Sequence, residues 1–199
     1  MKKMGTILIL ASISLFGRPA IPESSVNELV WFGIDYSLVK FIGVSDDFSD
    51  LRDIQERIFR SWNEIVLAEK DKYDVQSAFG VSSVDYQMEF AISQSENRDM
   101  EGILQTKNYS IDKDQVTEVV MKYTDTSDDR VGVLFVMETL NKLDQISTMW
   151  VAVFHISTGE IIHLERFAGK PGGFGIRNYW ARSFYNVLNQ IREIPGYNL

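Results

Sequence analysis

Cysteine is absent from this chain and proline is scarce, with only 4 prolines among 199 residues. Without a thiol the protein cannot use a cysteine nucleophile or fold around disulfide bonds, and it cannot carry a lipid anchor attached to cysteine. No linker rich in proline, glycine or serine interrupts residues 23–194, and no internal repeat or low-complexity tract does so. Residues 21–199 are therefore predicted to form a single domain.

Basic residues are scarce relative to acidic ones. The chain has 20 lysines and arginines against 28 aspartates and glutamates, which gives a formal charge of −8. A nucleic-acid-binding protein needs a basic surface against phosphate, so this balance argues against that class. The hydrophobic fraction of 45%, with 12 Phe, 8 Tyr and 4 Trp residues, suffices for a substantial globular core.

The one long hydrophobic run lies at the N-terminus. Gly5–Phe16 (GTILILASISLF) follows a basic start and precedes small residues, which is the pattern of a secretory signal peptide. Its 12 residues are too few to span a bilayer, which needs about 20. A buried N-terminal helix is the alternative. We expect a signal peptide at residues 1–20, cleaved after Gly17 or Ala20, and a mature protein that is soluble in the periplasm or outside the cell.

The first half of the domain predicts strands that alternate with helices. Residues 29–43 are rich in β-branched and aromatic residues and predict a strand. Apolar residues at helical spacing predict a helix over about 50–68, and a short helical turn over 74–79 ends at Gly80. Strict alternation of apolar residues predicts a strand over 84–92 with one solvent-exposed face.

The second half begins with a helix and continues with apolar strands. Asp112 and Gln115 have the spacing of a capping box and predict the helix start. Val131–Leu140 and Ile146–Ile156 are apolar on both faces, which is typical of central strands that are covered on both sides.

A third strand and a last helix complete the prediction. The strand over 161–168 returns from a turn, and an amphipathic helix over 180–194 follows. Together these elements predict an α+β or α/β fold. Its sheet is expected to be mixed and mainly antiparallel, with about 4–6 strands and about three helices packed against it.

Two segments near the C-terminus resemble known families. His155–Ile162 (HISTGEII) resembles a hairpin in the curli-assembly lipoprotein family and in the N-terminal domain of the translocation protein TolB. Gly173–Trp180 (GFGIRNYW) resembles a segment of secreted, uncharacterised α/β proteins of Gram-negative anaerobes. The resemblance implies an envelope location but no particular activity. Pore formation is not implied, because the chain lacks the lipid-anchor cysteine and an amphipathic membrane-spanning hairpin.

Motifs for catalysis or metal binding are not evident. No G-x-S-x-G elbow occurs, and the acidic clusters lack the spacing of an EF-hand loop. The two histidines, His155 and His163, flank the Thr158-Gly159 turn. A two-residue turn places His155 opposite Ile162 and His163 opposite Phe154, so that the histidines face opposite sides of the sheet, whereas a three-residue loop would place them opposite each other. We therefore predict no catalytic residues, metal or cofactor. A carboxylate pair of the glycosidase type stays open among the 28 acids.

A glycine-rich turn before the last helix is the candidate binding site. Residues 160–199 carry five basic and three acidic residues, a balance of +2, whereas residues 21–159 carry 12 and 25, a balance of −13. Backbone N–H groups at a helix start and nearby cations suit an anion. A tight turn that needs positive φ is the alternative. The candidate site residues are Arg166, Lys170, Gly172, Gly173, Gly175, Arg177, Tyr179, Trp180 and Arg182.

These observations predict an exported, non-catalytic envelope protein that binds a protein or a small anionic partner. The alternative is a secreted hydrolase that uses carboxylates to act on carbohydrate. Neither interpretation includes nucleic acid or a membrane span in the mature chain.

The export prediction can be tested on protein from the native host. Mass spectrometry should find a new N-terminus between Arg18 and Ile21, because signal peptidase cleaves after small residues that follow the apolar run. An intact Met1 on a cytoplasmic protein would contradict export.

Overall fold

The computed structural model describes residues 26–48, 50–197 and 199. The predicted signal peptide lies outside these residues. Seven strands form one curled sheet. They are β1 (Glu28–Asp35), β2 (Lys40–Ile42), β3 (Ser83–Tyr86), β4 (Leu104–Gln105), β5 (Val131–Asn141), β6 (Ile146–His155) and β7 (Ile161–Gly169).

A short turn joins β1 to β2, helices connect the successive strands from β2 to β5, and a last helix follows β7. The second of these helices is a continuous helical run whose first half contains a π-helical turn, Ile54–Ile58. The helices are α1 (Ser45–Phe48), α2 (Leu51–Asp53, Ile54–Ile58 and Phe59–Ala68), α3 (Val75–Phe79), α4 (Glu89–Glu96), α5 (Lys113–Val120) and α6 (Gly175–Arg192). Short 3₁₀ turns follow α5 and α6 at Met121–Tyr123 and Pro195–Tyr197.

The strands β1 to β5 run parallel in the order β3-β1-β5-β2-β4. Strands β1 and β2 pair with successive parts of the same edge of β5, so they act as one long, interrupted strand. The other edge of β5 pairs with β6, and β7 lies outside β6; both of these pairings are antiparallel. Helices cover both faces of the sheet, as a parallel sheet requires.

The prediction of a mainly antiparallel sheet with about three helices is therefore wrong. The fold is parallel α/β, with five parallel strands, two further antiparallel strands and the helices α1 to α6 among the described residues. The antiparallel part, β5 to β7, is joined by short turns that are visible in the sequence. The parallel pairings are made between segments separated by helical crossovers, and such pairings leave no local sequence signal.

The helix end predicted at Gly80 and the capping box predicted at Asp112 and Gln115 are confirmed, and Asp50 caps a further helix. Asp50 accepts hydrogen bonds from the backbone N–H groups of Arg52 and Asp53 at the start of α2. Gly80 ends α3 with a φ of 66°. Asp112 and Gln115 form a reciprocal capping box at α5, with N–O distances of 2.9 and 3.0 Å.

The strand predicted over 84–92 is wrong in its second half. Strand β3 ends at Tyr86, and α4 begins at Glu89. The helix buries Ser95, whose hydroxyl accepts a hydrogen bond from the N–H of Tyr36 at 3.2 Å. Tertiary contact with the segment after β1 therefore decides the conformation, against a local pattern that favoured a strand.

Two hydrophobic clusters lie on opposite faces of the sheet. The larger one holds α2, α3 and α6 against the sheet, and Val133 and Phe135 of β5 belong to it. The smaller one holds α5 and includes Trp150 and Phe154 of β6. Val133 and Phe135 therefore lie on the opposite side of the sheet from Trp150 and Phe154. Within residues 26–48, 50–197 and 199, no helix is both long and apolar enough to cross a bilayer.

Phe154 tests the smaller cluster. Its ring is fully buried and stacks on Phe32 with 5.8 Å between the ring centroids. We expect Phe154→Ala to lower the free energy of unfolding by about 3–5 kcal/mol in urea melts, because it leaves a cavity in a packed layer. Phe174→Ala is the control, since Phe174 is 95% exposed and its loss should change stability by less than about 0.5 kcal/mol. A loss below about 1 kcal/mol for Phe154→Ala would show that the cluster contributes little.

Candidate binding site

The glycine-rich turn connects β7 to α6. Gly173 and Gly175 have φ values of 107° and 77°, a region in which other residues are strained. The N–H of Gly172 donates to the carbonyl of Tyr179 at 2.9 Å, which folds the turn back on the first turn of α6. Gly169 is needed for packing, because an added Cβ atom would lie 2.4 Å from the carbonyl oxygen of Ser183. The glycines thus have structural reasons of their own.

The turn also forms one wall of a cleft of about 650 Å³. We call it the glycine-turn cleft. Residues that follow α2 and residues of α6 complete its lining. Its lining residues are Glu69, Lys72, Lys170, Pro171, Gly172, Gly173, Phe174, Asn178, Arg182 and Asn186.

Three cationic side chains and one carboxylate line the glycine-turn cleft. Lys72 Nζ lies 3.0 Å from Glu69 Oε2, so this pair is nearly neutral. The guanidinium of Arg182 lies 4.8 Å from the ring centroid of Tyr185. Lys170 forms no ion pair with any residue that the structure describes, and its carbonyl is held by Asn186 at 2.7 Å. The cleft thus has a surplus of positive charge that is not neutralised by neighbouring carboxylates.

The structure brings together only part of the predicted site. Lys170, Gly172, Gly173 and Arg182 line the cleft. Gly175 lies beside it in the first turn of α6, where an added Cβ atom would meet open space.

The other predicted residues serve elsewhere. Trp180 is buried in the larger cluster and stacks on Phe48. Tyr179 holds Lys142 at 3.9 Å from its ring centroid. Arg177 donates to Asn178 at 3.1 Å and does not line the cleft.

Arg166 lies on β7 and binds a buried carboxylate instead. Its guanidinium is 2.7 Å and 2.5 Å from Oε2 of Glu138, which is fully buried on β5. The other oxygen of Glu138 accepts from the N–H of Ile111 at 3.0 Å. This pair joins β5, β7 and the segment before α5, and its bonding favours a structural role.

Asp35 is a second fully buried carboxylate, at the end of β1. It accepts hydrogen bonds from the Tyr123 hydroxyl at 2.6 Å and from the N–H of Ser37 at 2.7 Å. Burial, together with the charge of Asp35, raises the pKa of Tyr123 well above its usual range, so the phenol stays protonated as a donor. Neither Asp35 nor Glu138 was identified from the sequence.

Sequence reasoning also missed several cleft residues. Glu69 and Lys72 lie about a hundred positions before the glycine turn, and only the crossover topology brings them together. Phe174 could have been recognised from the sequence, because an aromatic residue between two glycines of a turn is expected at the protein surface.

Metal binding finds no support in the described part of the chain. No group of three or more His, Asp or Glu side chains there could hold an ion. The predicted pairing of His163 with Phe154 is wrong, because a register shift pairs Phe154 with Ile161 and His163 with Val153.

Comparison with protein-family models, with curated proteins and with solved structures finds no significant match to this chain. The resemblance of the C-terminal segments to envelope proteins therefore stays a prediction.

The Glu138–Arg166 pair can be tested by removing its cation. Arg166→Met leaves the buried carboxylate of Glu138 without a counter-charge. We expect the free energy of unfolding at pH 7 to fall by about 3 kcal/mol. This value is at the low end for a broken buried ion pair, because the side chain of Arg166 is 44% exposed. Urea melts at pH 7 measure this loss. Arg192→Met is the control, and a loss for Arg166→Met no larger than that of the control would contradict the role of the pair.

Proposed function

We propose that this chain is an exported, non-catalytic binding protein of the cell envelope, and that the glycine-turn cleft holds an anionic, carboxylate-bearing group of its partner. One observation carries this proposal. In a chain of charge −8, a cleft of about 650 Å³ gathers three cationic side chains against one carboxylate.

The chemistry of the lining suits a carboxylate. Arg182 offers a planar set of N–H donors, and Lys170 offers an ammonium group without an ion-pair partner among the described residues. Asn178 and Asn186 line the same cleft and can donate further hydrogen bonds. Charge-assisted hydrogen bonds to an ionised carboxylate are the stronger kind.

Export is proposed from residues 1–20. Their basic start and short apolar run are those of a signal peptide. Removal of this segment takes away three basic residues and no acidic one, which leaves 17 − 28 = −11. The positive charge of the cleft would then contrast still more strongly with the net negative charge of the chain. The resemblance of residues 155–162 and 173–180 to envelope proteins agrees with this location.

The hydrogen bonds made by the two buried carboxylates favour a binding role over hydrolysis. Asp35 and Glu138 each accept two or more hydrogen bonds from protein groups. A general acid or base must exchange a proton with substrate, and these oxygens already have protein partners. The carboxylate-dependent hydrolase that the sequence left open gains no support from them.

Charge reversal at Lys170 tests the cleft. We expect the wild-type protein to bind citrate with a Kd in about the millimolar range or tighter, and Lys170→Glu to weaken this at least tenfold, because the free ammonium is replaced by a repelling charge. Isothermal titration calorimetry measures both values. Lys107→Glu is the matched control, since Lys107 follows β4 at the other edge of the sheet. Equal affinities of the two variants, or no citrate binding by the wild type, would contradict the proposal.

A further inference from the structure

The glycine-turn cleft does not end at the charged residues. A second depression of about 440 Å³ adjoins it and is formed by Leu67, Ala68, Glu69, Lys70, Asp71 and Lys72 at the end of α2. Glu69 and Lys72 line both depressions. The two depressions therefore adjoin at Glu69 and Lys72, and we call them together the α2–α6 groove.

Each half of the α2–α6 groove has an exposed apolar side chain. Phe174 is 95% exposed in the glycine-turn half, and Leu67 is 40% exposed in the other half. Exposed aromatic side chains beside charged ones are typical anchors of protein–protein contacts. A free inorganic or small organic anion needs neither side chain.

Charge is distributed unequally along the groove. The half beside Leu67 balances Lys70 and Lys72 against Glu69 and Asp71. The half beside Phe174 adds Lys170 and Arg182 with no further carboxylate. A complementary ligand is thus anionic where it meets Lys170 and Arg182, and apolar where it meets Phe174 and Leu67.

We propose that the occupant of the α2–α6 groove is an extended peptide segment of a partner protein, with acidic residues flanked by apolar ones. Its carboxylates meet Lys170 and Arg182, one apolar side chain covers Phe174, and a second covers Leu67. This inference rests on the proposed function, because it names the kind of partner that the same cleft binds.

Two probes separate the peptide from a simple anion. The first is the acetylated, amidated peptide Phe-Glu-Asp-Glu-Leu, with the same peptide carrying Ala in place of Phe and Leu as its control; the second is citrate. We expect the wild-type protein to bind the apolar-flanked peptide about tenfold more tightly than its alanine control, because only the former covers the exposed side chains.

Leu67→Ala should weaken binding of the apolar-flanked peptide several-fold and leave citrate affinity unchanged, because Leu67 does not line the glycine-turn cleft. Phe174→Ala should weaken binding of this peptide several-fold, and by more than it weakens binding of citrate. Leu143→Ala is the matched control, because Leu143 is 56% exposed in the turn between β5 and β6 and does not line the groove. Phe174→Ala removes a side chain without core contacts, so its fold should persist.

The outcomes distinguish the two proposals. Equal affinity for both peptides, or peptide binding that is insensitive to Phe174→Ala, would overturn the peptide inference while a Lys170 effect on citrate still supported the anion cleft. Loss of the Lys170 effect on citrate would overturn the proposed function itself. Retention of the Lys170 effect, together with selective loss of peptide binding in Phe174→Ala, would support both.

Discussion

All 11 residues of β5 are buried, so each of its backbone polar groups needs a partner within the protein. One edge pairs with β6, with an irregularity between Met137 and Thr139, and the other edge meets a strand that is interrupted between β1 and β2. Side chains bond the backbone of β1 and of the turn at this interruption. Asn63 bonds both the N–H and the carbonyl of Ile34, and Arg98 donates to the carbonyls of Tyr36 and Val39. Burial lowers the pKa of the Arg98 guanidinium because it removes water from the charged group. Backbone carbonyl oxygens accept its hydrogen bonds in place of water.

The position of the cleft follows from the same sheet. Strand β6 extends the sheet beyond β5, and most of its residues are buried. Strand β7 lies outside β6, and α6 covers the face of β7 that carries Phe167. Close approach of β7 to α6 is possible because Gly169 has no side chain beside Ser183. The glycine turn that follows must reverse the chain within a few residues, which places Lys170 beside the end of α2. The cleft is thus a product of helix–sheet packing, and its charge is an additional property of the sequence.

Local features of the fold could be predicted, whereas the pairings between distant segments could not. Capping by Asp112 and Gln115 involves residues only three positions apart, so it could be predicted from the local sequence. The parallel direction of β1 against β5 depends on a crossover of many residues, which leaves no local pattern in the sequence. The turn near Thr158 does leave such a pattern, so the sequence favoured an antiparallel sheet. At the site, Lys170 and Arg182 could be found because they flank a glycine-rich turn. Lys72 could not, since only the tertiary fold brings it near, and Arg166 was misplaced because its buried partner Glu138 gives no sign in sequence.

An acidic chain with a small basic cleft imposes a limit on how recognition can work. Electrostatic interactions are screened over about 8 Å at physiological ionic strength, so the net charge of −8 and the local cations act on different length scales. At a distance, an acidic partner meets net repulsion and is not steered to the cleft. At contact, Lys170 and Arg182 interact with its carboxylates at short range, where screening is weak. In the proposed recognition, affinity would therefore depend on contacts made after encounter, and the exposed ring of Phe174 would add a contribution that does not depend on charge.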